Sequence, residues 1–184
     1  MKISIFGGSN LAPSEPLYAK AVQLGQSLAQ RGHIVITGGY MGFMEAVSRG
    51  ANENGGTVIG ITCDEIEKWR PVGANPWVNQ EIRVEFLCER IDKIIKECDL
   101  AIALPGGIGT LAEITLAWNL IILGTIRSKR LLIVGTEWKK VLENLFSSSG
   151  KFIADNCREK LIFYKDIEHL ILEIDNLPIF IGEV

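Results

Sequence analysis

Four short stretches of this sequence are apolar at almost every position, IVIT from Ile34, VIGI from Val58, LAIAL from Leu100 and LLIV from Leu131, and residues 2–6 form a further short apolar run. A strand with one face in water alternates apolar and polar residues, whereas a strand covered on both faces reads as a continuous apolar run. Each run is followed by a segment with helical spacing. From Glu15 to Gln30, for example, Leu17, Ala21, Leu24 and Leu28 recur every three or four residues. Strands and helices that alternate in this way form a parallel sheet with helices packed on both faces. The expected fold is therefore α/β, a doubly wound parallel sheet in three α/β/α layers.

The spacing predicts strands over 2–6, 33–37, 57–62, 82–86, 100–104, 131–134 and 161–164. It predicts helices over 15–30, 44–54, 87–97, 110–123, 138–146 and 167–174. Between Cys63 and Gln80 the rhythm breaks: Trp69, Pro71, Gly73, Pro76 and Trp77 follow no period. An ordered loop over a site or an interface is expected there. No internal repeat, low-complexity run or linker interrupts the 184 residues, and one domain over 1–184 is expected.

Charge and composition remove several functional classes. Lys plus Arg is 19 and Asp plus Glu is 22, a net charge of −3, so the basic excess that nucleic-acid binding usually needs is missing. Cys63, Cys88, Cys98 and Cys157 form no C-x-x-C pair, and His33 and His169 lie far apart, so no metal site is expected. The cysteines read as small core residues and neither histidine is given a role. Met1-Lys2 leads straight into a strand-like run, so no signal peptide is expected, and the most apolar stretch, Ile114 to Leu123, is too short to span a bilayer. A cytoplasmic protein with reduced thiols and no membrane partner is expected.

In a parallel α/β sheet, ligands bind outside the carboxyl ends of the strands. Three glycine-bearing loops fall there: Gly7 to Asn10, Gly38 to Gly42 and Gly106 to Thr110. Glycine lets a backbone approach closely, and a helix opening after it adds about half a positive charge, so Pro105-Gly106-Gly107-Ile108-Gly109-Thr110 suits a phosphate. The alternative is that these glycines only make a tight strand-to-helix turn. The P-loop and the dinucleotide fingerprint are both absent, which argues against NTP hydrolysis of that type and against classical NAD chemistry.

Two charged residues near these loops have structural and chemical readings. Thr110 and Glu113 form T-x-x-E, which can cap a helix. A carboxylate beside a bound anion serves stability poorly, however, and Glu113 could instead hold ribose hydroxyls or manage a proton at a sugar carbon. Arg90 could lie on a solvated helix face with Glu89 and Lys93, or could pair with a phosphate or carboxylate.

The segment Leu104 to Glu113, LPGGIGTLAE, resembles the P-G-G-x-G-T-x-x-E signature of the Lonely Guy (LOG) family, many of whose members carry a lysine decarboxylase label. The similarity runs from the first strand and FGGSN through GGYMGFMEAVSRGA and TVIGIT to LLIVG, roughly the first three quarters of the chain. It implies a Rossmann-like homodimer that hydrolyses the N-glycosidic bond of a nucleoside 5′-monophosphate, of cytokinin riboside or AMP type, without a cofactor. It also implies Glu113 and Arg90 as catalytic residues. Phosphate and substrate contacts are implied for Gly8, Ser9, Gly38, Gly39, Gly42, Gly106, Gly107, Gly109 and Thr110. The decarboxylase label would require pyridoxal phosphate on a lysine, whereas Lys93 and Lys96 read as surface helix residues.

The chain departs from the better characterised members at three positions. Thr37 and Glu45 replace the first and last glycines of G-G-G-x-x-G-L-M-G, and Ile91 replaces a lysine after the arginine. Some divergent relatives are assigned to molybdenum cofactor binding, and the resemblance therefore admits a non-catalytic nucleotide or molybdenum cofactor carrier as the alternative. The helix ITLAWNLIIL is apolar nearly all round, and reads either as a central core helix or as a homodimer face to which Trp118 and Leu120 contribute. Trp69 and Trp77 could stack on a base or anchor their loop to the core.

Overall fold

The computed structural model describes residues 1–174; residues 175–184 of the expected domain lie outside the described residues. Seven strands alternate with helices in chain order: β1 (Lys2–Phe6), α1 (Pro16–Gln30), β2 (Ile34–Thr37), α2 (Phe43–Asn52), β3 (Val58–Cys63), α3 (Asp64–Trp69), β4 (Gln80–Val84), α4 (Leu87–Lys96), β5 (Leu100–Ala103), α5 (Ile108–Leu123), β6 (Leu131–Val134), α6 (Thr136–Ser149), α7 (Asp155–Arg158), β7 (Leu161–Tyr164) and α8 (Ile167–Glu173). The sheet order is β4-β3-β2-β1-β5-β6-β7, and every pairing is parallel.

The apolar runs behave as two-faced strands. Ile3 and Ile5 of β1 and Leu100 and Ile102 of β5 enter a core layer with Leu24 and Leu28 of α1, Val47 of α2 and Leu170 of α8. Phe6, Ala101 and Ala103 point the other way, into a layer with Ile94 of α4, Ile114 and Trp118 of α5 and Leu142 of α6. Side chains of one strand alternate between faces, so one uninterrupted run feeds both layers.

Strand order reverses at β1. The chain steps outward through β2, β3 and β4, then returns to place β5 on the other side of β1. Connections on the two sides of such a switch point diverge and leave a crevice at the carboxyl edge. The loops after β1 and β5 border it.

Three expectations need correction. Part of the aperiodic stretch is helical: α3 occupies Asp64–Trp69, and β4 starts at Gln80. No residue of α3 is buried, so it has no apolar stripe to betray it; Asp64, Glu65 and Glu67 in its first turn suit the helix dipole. The short α7 was also not foreseen, and it too buries nothing. Finally, of the four cysteines only Cys63 and Cys98 are buried, while Cys157 is half-buried and Cys88 is exposed.

Candidate active site

Gly8 ties the glycine loops together. Its N–H donates to the Pro105 carbonyl at 3.0 Å, and its carbonyl accepts from the Phe43 N–H at 3.1 Å. Backbones this close leave no room for side chains. A Cβ on Gly106 would lie 2.3 Å from Thr110 Oγ1 and 2.8 Å from the Gly8 nitrogen. Gly42 has φ +73°, and its Cβ would meet the Gly8 carbonyl at 2.5 Å. The β1, β2 and β5 loops therefore converge on one edge, and here the tight-turn reading of the glycines is correct.

It fails for Gly107 and Gly109. A Cβ on either would meet nothing within 4 Å, so open space lies over the first turn of α5. That turn starts from Gly107 and has no side-chain cap. Thr110 is the third residue of the helix and not its cap, which overturns the capping box. Thr110 and Glu113 both turn inward and are buried, one turn apart on the same face. The orphan amides of the first turn, together with the dipole, make an open anion site.

Glu113 is 7% exposed, and no hydrogen bond to its carboxylate is found among the described residues. Its nearest cation is Arg90, whose Nη1 lies 3.9 Å from Glu113 Oε1, an ion pair without a short contact. Burial pushes the Glu113 carboxyl up to about 7, against the opposing pull of Arg90. Loss of hydration disfavours the anion, and one guanidinium at that distance offsets it only in part.

Arg90 is buried, not solvated: its side chain is 7% exposed. Nε donates to the Ile61 carbonyl at 2.8 Å and Nη2 to the Gly38 carbonyl at 3.1 Å, and the guanidinium lies 5.4 Å from the centre of the Tyr40 ring. Only Nη1 faces Glu113. Gly38 is glycine because of this arginine, since a Cβ there would lie 1.7 Å from Nη2. Arg90 is thus held by the ends of β2 and β3 and serves Glu113 rather than open solvent.

The departures from the family pattern have local reasons. Thr37 Oγ1 accepts the Gly39 N–H at 3.1 Å and lies 3.3 Å from Ser48 Oγ, pinning the β2 loop to α2. Glu45 faces away from the crevice and accepts the Tyr18 hydroxyl at 2.7 Å, stapling α1 to α2. Ile91 packs against the core layer beneath α4. Lys93 and Lys96 pair with Glu97 and Asp92 on the helix surface, as expected.

Sequence reasoning missed three residues that shape the edge. Asn75, buried in the aperiodic stretch, donates through Nδ2 to the Gly39 carbonyl at 3.0 Å and the Tyr40 carbonyl at 2.9 Å, clamping the β2 loop. The Tyr40 hydroxyl accepts the Cys63 N–H at 2.8 Å, joining that loop to β3. Arg70 reaches from the end of α3 to Ser9, with Nη1 donating to Oγ at 3.2 Å. The signal for Asn75 and Arg70 was polar residues inside a stretch without a period, whereas Tyr40 stands within the second glycine loop. Of the two loop tryptophans, Trp69 is 81% exposed and anchors nothing in the core, while Trp77 is half-buried under the Arg49 guanidinium, 5.6 Å from its ring centre. Trp118 is buried within its own chain, with its indole N–H donating to the Cys157 carbonyl at 2.7 Å, so it is not a surface contact. Among the described residues no helix is long and apolar enough to cross a membrane.

Comparison with known proteins places the chain in a family and a fold. Cytokinin riboside 5′-monophosphate phosphoribohydrolase LOG from Oryza sativa subsp. japonica is 30% identical over 177 residues, spanning 95% of this chain and 72% of that protein. Probable cytokinin riboside 5′-monophosphate phosphoribohydrolase LOGL5 from the same plant is 34% identical over 114 residues, which is 61% of this chain but only 46% of the relative. Among solved structures, the molybdenum cofactor binding protein of Rippkaea orientalis superposes with TM-score 0.71 at 24% identity, covering 96% of each chain. The molybdenum cofactor carrier protein of Chlamydomonas reinhardtii does so with TM-score 0.69 at 23% identity, again over 96% of each. At these identities the two structures establish a shared fold. Residues 1–162, which include every glycine loop, Arg90 and Glu113, match the SLOG cluster4 family, and this chain belongs to that family as a homologue of the LOG proteins.

Proposed function

We propose that this protein hydrolyses the N-glycosidic bond of a purine nucleoside 5′-monophosphate, of AMP or cytokinin riboside type, to free base and ribose 5-phosphate. The observation that carries this reading is Glu113: a buried carboxylate with no hydrogen bond found for it, next to an immobilised guanidinium and one turn below an uncapped helix start. The phosphate binds the first turn of α5, through the amides at Ile108, Gly109 and Thr110 and the Thr110 hydroxyl, with the open space at Gly107 and Gly109 giving access. The ribose then lies over Glu113. As the C1′–N bond breaks, its electron pair leaves with the base and positive charge builds on the ribose. Ionised Glu113 stabilises that charge and orients water, which adds to C1′, and the water proton is delivered to the departing base. Arg90 favours the ionised form of Glu113 against the larger opposing effect of burial. The names of the LOG relatives support the same chemistry.

The test is base release from a panel of nucleoside monophosphates and the matching nucleosides, followed by chromatography. Release from monophosphates alone supports the reading; release from none contradicts it. The second reading is a carrier of a phosphorylated ligand such as the molybdenum cofactor, favoured by Ile91, an apolar residue packed on the core where the better characterised LOG members carry a lysine. A ligand that co-purifies intact would support it.

We also propose a homodimer through α5. Ile108, Leu116, Ile122 and Leu123 are exposed along one stripe of that helix, with Ile108 83% and Leu123 70% accessible. Leu116→Glu should then yield monomers in sedimentation, and a monomeric unsubstituted protein would contradict the assignment.

A further inference from the structure

The crevice holds two arginines with opposite circumstances. Arg90 is committed: two of its nitrogens serve backbone carbonyls and the third faces Glu113. Arg70 is not. It leaves the end of α3 in extended conformation, and its one side-chain hydrogen bond among the described residues goes to Ser9 Oγ. Its Nε is buried with no partner, and no carboxylate among the described residues lies within ion-pair distance of it. Its other neighbour is the ring of Trp69, 5.9 Å from the guanidinium carbon. An arginine stays charged at any accessible pH, and a partly buried guanidinium lacking an acceptor is costly until an anion supplies one.

The position of Arg70 identifies that anion. Ser9 follows Gly8, and Gly8 is bonded to Pro105 and packed against Gly106. The Arg70–Ser9 pair therefore stands beside the same open turn of α5 that offers amides to a phosphate. We infer that Arg70, together with the Ser9 hydroxyl, binds the phosphate of the substrate and supplies it with a positive charge. This rests on the reading above that a nucleoside 5′-monophosphate occupies the crevice. A fork of guanidinium donors approaching from α3 complements backbone amides approaching from α5, and neither set alone surrounds a tetrahedral anion.

The experiment measures equilibrium binding of AMP, adenosine and inorganic phosphate in a Glu113→Gln background, with and without Arg70→Gln, Arg70→Lys and Ser9→Ala. Loss of a charge-assisted contact should weaken AMP about 10- to 100-fold in Arg70→Gln, less in Arg70→Lys and Ser9→Ala, and leave adenosine unchanged. Unchanged AMP affinity in Arg70→Gln overturns the inference. Equal weakening of AMP and adenosine overturns it too, since that marks general damage, as does failure of the Glu113→Gln protein to bind either phosphate compound. Base release by the unsubstituted protein separates this inference from the hydrolase reading. Arg70-dependent AMP binding without base release removes the hydrolase and retains the phosphate contact. Base release with an unaltered KM in Arg70→Gln removes the contact and retains the hydrolase.

Discussion

Replacing Glu113 by glutamine should stabilise this protein at alkaline pH and leave its stability nearly unchanged in acid. The carboxyl has an ordinary value of 4.5 and is raised to about 7 in the folded chain, by burial first, with Arg90 opposing. A raised carboxylate means that the folded state holds its proton over a pH range in which the unfolded state has released it. Stability linked to Glu113 is therefore fully present below pH 4.5, falls as pH rises, and is lost above pH 7. The shift corresponds to about 3 kcal/mol at roughly 1.4 kcal/mol per unit. Glutamine is nearly isosteric and cannot ionise, so it escapes this cost. Urea unfolding at pH 4.5 and pH 8 measures it: the variant should gain about 3 kcal/mol over the parent at pH 8 and almost nothing at pH 4.5. The comparison between variant and parent cancels every other titrating group. If Glu113 instead served as a helix cap, the variant would be less stable at both pH values, and that result would refute the burial argument.

Two further outcomes follow from the same contacts. The kcat/KM for base release should rise through a midpoint near pH 7 as Glu113 ionises. Arg90→Gln should move the midpoint of its residual activity upward, because Arg90 lowers the Glu113 value; a midpoint near pH 4.5, or one insensitive to Arg90, would count against Glu113 as the ionising group. Gly38→Ala puts a methyl 1.7 Å from Arg90 Nη2, so the guanidinium must leave the Gly38 carbonyl. Unfolding should show a loss of about 1–3 kcal/mol, with a fall in kcat, and unchanged values would mean that the β2 loop is slack.

The sheet could be read from the sequence because its signal is repetitive. A run such as LAIAL has only one comfortable environment, a strand covered on both faces, and the structure divides its side chains between two core layers. The helix α3 could not be read because it buries nothing and so leaves no periodicity. The convergence of the glycine loops was visible as three loops at one edge, but which glycines are forced by packing and which face open space depends on distances between loops. Thr110 and Glu113 show the same limit. Their spacing fits a cap, and only the start of α5 at Gly107 turns both inward. Arg90 became a catalytic candidate only through the family resemblance, because burial of an arginine needs acceptors from elsewhere in the chain, here Ile61 and Gly38. Arg70 was hidden for the corresponding reason: its partner Ser9 lies 61 residues away.

The most direct test of the account is a single-turnover experiment with protein in excess over AMP, quenched and resolved by chromatography. Adenine and ribose 5-phosphate should appear in equal amounts from the unsubstituted protein, and AMP should be recovered intact from Glu113→Gln. Intact AMP from both, with AMP bound throughout, would contradict it and identify a carrier built on the same loops.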